Sequence, residues 1–268
     1  MEQLLILNCL KQAALSTRNL VCAFALAMSF NAIASEKPLV VALPDAGYPP
    51  YVIVNESKVT GILVESIKRA SQNAGITMEF QFLPEKRSLK ALQECSVDAR
   101  MESALYSDAP DEYLWSHPII EIEDVLIANN EDYHHIEDIE DLVGHELIAH
   151  IGYSYPALQH YFDSGTIIRS DRYNEREMLR SLLRPSPDSR RLAVMDRNVA
   201  TTLFNNDNQL RDNLRFIELQ LGKAPLQFQF CDNAENAKRV ALLNEQLTLL
   251  NKSGELLSIK KAFIPSNE

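Results

Sequence analysis

Continuous apolar runs alternate along this chain with stretches whose apolar positions recur every three to four residues. Leu39-Val-Val-Ala-Leu43 is unbroken, as expected of a strand buried on both faces. It stops at Pro44-Asp-Ala-Gly-Tyr-Pro-Pro-Tyr51, where prolines and a glycine can neither extend a strand nor start a helix. Ile62, Leu63, Ile67 and Ala70 then fall at helical spacing, and Gly75 ends that helix. Thr77–Phe82 alternates and predicts a strand. Ser88–Gln93 predicts a short helix, Ser96–Met101 a compact strand, and Ser107–Pro110 a polar loop leading to Trp115-Ser-His-Pro118.

The second half repeats the alternation. Strands are predicted at Asp124–Ala128, Leu147–Ile151, Leu192–Asp196, Leu214–Leu219 and Leu226–Phe230. Helices are predicted around Leu158–Phe162, at Glu175–Leu183 and at Val199–Phe204. Two more, about Ala234–Leu250 and Glu255–Phe263, close the chain around Gly254. Asn129–Asp141 reads as an acidic loop. Strands alternating with helices imply an α/β fold with parallel sheets.

Composition narrows the chemistry more than the fold. The chain has 268 residues, 46% hydrophobic and 24% charged, ordinary for a protein with a real core. A net charge of −11 and no basic patch argue against a nucleic-acid partner. All eight glycines are isolated, which excludes the glycine-rich loops that cradle phosphates. There is no Gly-x-Ser-x-Gly elbow. His134-His135, amid Glu131, Asp132, Glu137 and Asp138, reads as a solvated loop rather than a metal site. No cofactor and no metal are expected.

Lys11 and Arg18 precede the apolar run Leu20–Phe30, and Ala32-Ile-Ala34 supplies small residues for cleavage. Residues 1–34 are therefore expected to be a secretory signal peptide, too short in its apolar part to span a bilayer and pointing to the periplasm. Cys95 and Cys231 would remain after cleavage; two buried free thiols is the expectation, with a bridge between them the alternative that spacing cannot test.

Several segments, in order, resemble family 3 of the extracytoplasmic solute-binding proteins, the type that delivers polar amino acids to ABC importers. They are Leu39–Tyr51, Gly61-Ile-Leu-Val-Glu-Ser-Ile67, Lys90-Ala-Leu-Gln with Val97-Asp-Ala99, Trp115-Ser-His-Pro118, Ile139–Gly152, Leu192–Asp196 and Leu243–Ile259. The resemblance implies a type II periplasmic-binding-protein fold: two α/β lobes, two hinge strands and a ligand between the lobes. Lobe one would be 35–120 plus 226–268, and lobe two 121–225. Hinges would fall near Ile120–Leu126 and Pro225–Cys231. The chain would be a monomer that captures a small polar solute by domain closure, for an ABC permease or a membrane sensor.

Position by position, the resemblance assigns Asp45 and Tyr48 to the loop whose aromatic packs on ligand, with Tyr51 a second candidate. Glu102, Ser103 and Leu105 fall where backbone groups and a hydroxyl bind. Gly152, Tyr153 and Ser154 match a loop at a helix N-terminus suited to a carboxylate. Asp196 matches the acceptor of a ligand α-ammonium, with capping of the helix at Val199 as the alternative reading. One feature departs from the family: its carboxylate-gripping arginine would fall on Ala109 or Pro110, and Leu105–Leu114 holds no basic residue. Arg87 and Arg100 are the nearby candidates to supply positive charge, or else surface residues. The alternatives are a dehydratase-like enzyme, using Glu102 or Asp45 as acid or base, and an interaction protein that no longer closes on a ligand.

Overall fold

Strand β1 (Leu39–Pro44) carries the apolar run at the front of the chain, and it is flanked on both sides. β4 (Met78–Leu83) and β5 (Ala99–Glu102) pair with it in parallel. Between them come a hairpin of β2 (Ile53–Asn55) and β3 (Lys58–Thr60), helix α1 (Ile62–Ala74) and helix α2 (Glu85–Gln93). Helix α1 buries Ile62, Leu63, Ile67 and Ala70 and ends on Gly75 in the left-handed conformation, as its spacing predicts. These elements belong to a computed structural model that describes residues 37–56, 58–132, 135–184 and 190–264. The segment expected to be a signal peptide lies outside the described residues.

A second half-sheet follows: β8 (Glu146–His150), β9 (Ile168–Arg172) and β10 (Arg191–Asp196) pair in parallel, with β8 in the middle. Helices α3 (Pro156–Ser164) and α4 (Glu175–Leu182) connect them, and α5 (Arg197–Asn206) and α6 (Asn208–Asn213) follow. Two long strands join the halves. β7 (Ile120–Asn129) pairs through residues 120–123 with β12 (Lys223–Cys231), then through 124–129 with β10 and β11 (Leu214–Ile217). β12 pairs first with β7, then through its C-terminal half with β5 and β6 (Tyr113–Trp115). β7 thus pairs towards both half-sheets, and β12 runs beside it back into the first. Helices α7 (Ala234–Lys252) and α8 (Glu255–Phe263) return to the first lobe, where α7 packs on α1. Asn233 caps α7, and its Val240, Leu243, Leu247 and Leu250 form the buried stripe.

Several short elements are not visible in the hydrophobic pattern. The β2–β3 hairpin has only three residues per strand. β9, Ile-Arg-Ser-Asp-Arg, is an edge strand whose polar residues meet solvent, and α6 is polar save for the buried Leu210. The strand expected from Ser96 begins only at Ala99. Cys95 has a positive φ of 50°, and Asp98 turns inward to accept from the Val40 amide at 2.8 Å. Residues 95–98 are therefore a turn tied to β1 rather than the start of β5.

Cys95 and Cys231 form a disulfide, with their Cα atoms 5.6 Å apart across 136 residues of sequence. It joins the turn before β5 to the end of β12, beside the Asp98–Arg239 ion pair at 3.4 Å. Closing so long a loop restricts the unfolded chain. Replacing both cysteines by serine is expected to cost about 3 kcal/mol, read as a lower urea midpoint under non-reducing conditions. An unchanged midpoint would show that the bridge does not contribute.

Candidate functional site

The loop after β1 is held in place by its own backbone and by helix α1. The Tyr48 amide donates to Val52 O at 2.7 Å, and the Val52 amide returns to Tyr48 O at 2.9 Å. Ile62 N and Leu63 N, at the start of α1, donate to Pro50 O and Tyr51 O. Gly61, with φ of 118°, is required there: a Cβ would run into the Tyr51 carbonyl. The loop therefore consumes the free amides of α1 and fixes Tyr48 and Tyr51, whose ring centroids lie 5.4 Å apart.

From this loop the first lobe reaches the second. The Tyr51 hydroxyl donates to Asp196 Oδ1 at 2.8 Å and accepts from Asn198 Nδ2 at 3.0 Å. Tyr48 meets Tyr153 edge-on at 5.9 Å, and Tyr173 donates to Asp45 at 2.7 Å. Gly152 lies against the side chains of Glu85 and Lys86. The lobes are closed on one another.

An inner chamber of about 50 Å³ remains between them, lined in part by Tyr48, Tyr106, Tyr153 and Tyr155, and by Glu102 and Asp124. A water needs roughly 10–15 Å³ of such space, so the chamber is small. It shares Glu85, Arg100, Glu102, Tyr106 and Ser154 with an outer chamber of about 170 Å³, whose wall also contains Asp108 and Glu112. Arg100 is buried on β5: it donates to Glu102 and Gln229, each at 2.9 Å, and it also pairs with Glu85. Its Nε has no partner.

Burial dominates the protonation of Asp124, Glu175 and Asp196. Asp124 is raised to about 6 by burial and by the nearby Asp196, against the hydrogen bond from Tyr106 at 2.8 Å. Glu175, at the start of α4, is raised to about 7 by burial, with Asp196 adding to the rise while its own amide and Tyr153 oppose it. Glu175 Oε1 has no hydrogen-bond partner. Asp196 is also raised by burial, although Tyr51 and the amides of Glu123 and Val199 donate to it. Burial lowers His150, which stacks on Tyr153 at 3.9 Å.

The structure gathers some of the sequence candidates and separates others. Tyr48, Arg100, Glu102, Tyr153 and Ser154 line the inner chamber, and Gly152 lines the outer one. Asp45 lies at a third opening between the lobes, beside Tyr173. Tyr51 and Asp196 are fully buried behind the wall, and Asp196 caps α5 through the Val199 amide at 3.0 Å. Ser103 is buried, its Oγ accepting from the Leu105 amide; Leu105 points to solvent at 64% exposure, and Arg87 is exposed on α2.

Sequence reading misses Glu85, Tyr106, Asp124, Tyr155 and Glu175. For Asp124 a signal existed, since a carboxylate opens the apolar run Asp124–Ala128 of a central strand. For Glu175 there was none: an acid in the first turn of a helix is ordinary. His135 lies 3.4 Å from Glu137, His134 lies outside the described residues, and no metal-ligand cluster occurs among the described residues.

The model of the bacterial extracellular solute-binding proteins, family 3, matches residues 39–266, and the chain belongs to that family. No curated protein matches it in sequence. Solved structures with the same fold include a mutant of ArgBP from T. maritima, 18% identical with a TM-score of 0.70, covering 86% of this chain and 96% of that one. A histidine kinase sensor domain with similarity to periplasmic binding proteins is 19% identical with a TM-score of 0.72, over 85% and 96%. The amino acid ABC transporter substrate-binding protein AbpA from Streptococcus pneumoniae, bound to L-arginine, is 17% identical with a TM-score of 0.69, over 88% and 98%. Among the described residues no helix is long and apolar enough to cross a membrane.

The raised carboxyls give the closed state a definite pH dependence. Unfolded, Asp and Glu titrate near about 4; folded, Asp124 and Glu175 hold their protons to about 6 and 7. The folded chain therefore binds more protons in that window, and this contribution to stability is lost as pH rises through it. The ligand-free melting temperature should fall by roughly 5–10 °C more in the wild type than in Glu175→Gln between pH 5 and pH 8. Parallel pH profiles for the two proteins would contradict the assignment.

Proposed function

We propose that this chain is a periplasmic binding protein that captures a small polar solute between its lobes, an amino acid or a related amine or carboxylate compound. The first lobe is taken as residues 35–120 plus 226–268, the second as 121–225, and residues 1–34 as an export signal. One observation carries the reading. A lined chamber lies where Tyr48, Arg100 and Glu102 of the first lobe meet Tyr153, Ser154 and Tyr155 of the second. A solute that touches both lobes has differential affinity for the closed state, and that difference shifts the open–closed balance.

Asp196 is assigned a positioning role at closure, through Tyr51 and the α5 cap. Import through an ABC permease is the first reading, in keeping with the AbpA likeness. Delivery of a signal to a membrane sensor is the second, favoured by the likeness to a histidine kinase sensor domain. Both use the same cleft. No catalytic role is assigned to Glu102 or Asp45: Glu102 is held by Arg100 and the Ser103 amide, and Asp45 by Tyr173.

Differential scanning fluorimetry against amino acids, amines, small carboxylic acids and sugars tests the proposal. A saturable rise in melting temperature, of several degrees at 100-fold excess over Kd and without turnover of the solute, is expected for at least one compound. Consumption of the compound would replace binding by catalysis, and a flat response to the whole panel would remove the solute-binding role.

A further inference from the structure

We propose that the cleft selects a cationic amine and has no carboxylate clamp, so that its ligand is a compact amine or diamine rather than an α-amino acid. The inference rests on the solute-binding reading and specifies its ligand. Around the two connected chambers, five carboxyls (Glu85, Glu102, Asp108, Glu112 and Asp124) face one guanidinium, Arg100. That guanidinium is already held by two of them and by Gln229. A ligand carboxylate could take the two terminal guanidinium nitrogens only by displacing Glu85 or Glu102, and it would lie among the remaining anions.

Neither neighbouring helix start offers a full set of free amides as a substitute clamp. The first amides of α1 are used by Pro50 and Tyr51, and α3 opens on Pro156, which has no N–H. What the inner chamber does offer suits an ammonium: tyrosines 48, 106, 153 and 155 in its wall, with Asp124 and Glu102 as acceptors. Glu175 supports the same sign of ligand from behind this wall. It is 5% exposed, has an oxygen without a partner, and interacts with Tyr48 and Tyr153. A buried, uncompensated carboxyl is costly to ionise, and a bound cation supplies the missing charge.

The dimensions set the shape of the ligand. About 50 Å³ accommodates an ammonium head and its first methylene groups, and a longer chain would continue past Ser154 into the outer chamber towards Asp108 and Glu112.

Isothermal titration calorimetry of the purified protein at pH 7.5 tests this with pairs that differ only by a carboxylate: putrescine against ornithine, cadaverine against lysine, agmatine against arginine. Succinate and glutamate serve as anionic probes. At least one decarboxylated amine should bind tenfold or more tightly than its amino acid, and the anions should not bind. Asp124→Asn, which keeps an oxygen acceptor for Tyr106, should weaken that amine at least tenfold with the melting temperature retained. Glu102→Gln provides a second variant if Asp124→Asn fails to fold. Tighter binding of the amino acids or the anions would overturn the inference and leave solute capture standing. Silence of every probe in a protein that binds another solute would overturn the inference alone, whereas silence towards all solutes removes both.

Discussion

Tyr51 reaches from the Tyr-Pro-Pro-Tyr loop of one lobe to Asp196 at the end of β10 in the other, a bond that ties the two lobes together. Both residues are buried, so the hydroxyl has exchanged water for a carboxylate in a medium of low dielectric. Asp196 is itself fixed by the amides of Val199 and Glu123. Gly61 and the start of α1 hold the loop that presents Tyr51. This contact between the lobes is thus anchored in a strand end, a helix cap and a glycine turn. Neither partner can shift without disturbing backbone hydrogen bonds.

Around this anchor the charge balance works against closure. Asp124, Glu175 and Asp196 are buried near one another, and burial raises all three. With Arg100 committed to Glu85 and Glu102, no side-chain cation lining the chambers is free to offset them. Protons can do so at low pH, and a cationic solute can do so at neutral pH. Aromatic walls, acceptors and unbalanced negative charge then have one physical role: they make the closed state conditional on a positive guest.

The fold was legible because its long elements obey simple periods. Leu39–Leu43, the α1 stripe ending at Gly75, and the Val240–Leu250 face each announce themselves in the sequence. The short and edge elements do not: β9 is polar because one side faces solvent, and β2 and β3 are too short to show a period. The site was only partly legible. Tyr48, Glu102, Tyr153 and Ser154 follow from motif order and Arg100 only from its nearness to the missing arginine, whereas Asp124 and Glu175 meet the same chamber wall from distant positions. The absence of a basic residue in Leu105–Leu114 was visible at once. Its meaning needed the structure, because Arg100 looks available in the sequence and is paired with Glu85 and Glu102 in the fold.

The central claim, that closure is held across the cleft by Tyr51 and Asp196 and completed by a bound cation, is most directly tested by an interlobe distance. Spin labels on exposed sites of α7 and α6, one in each proposed lobe, report it by pulsed electron resonance. At pH 7.5 the distribution should narrow to the short distance on adding the tightest-binding amine, and Tyr51→Phe should shift the ligand-free population towards longer distances. One unchanged distance distribution in all these states would contradict the account.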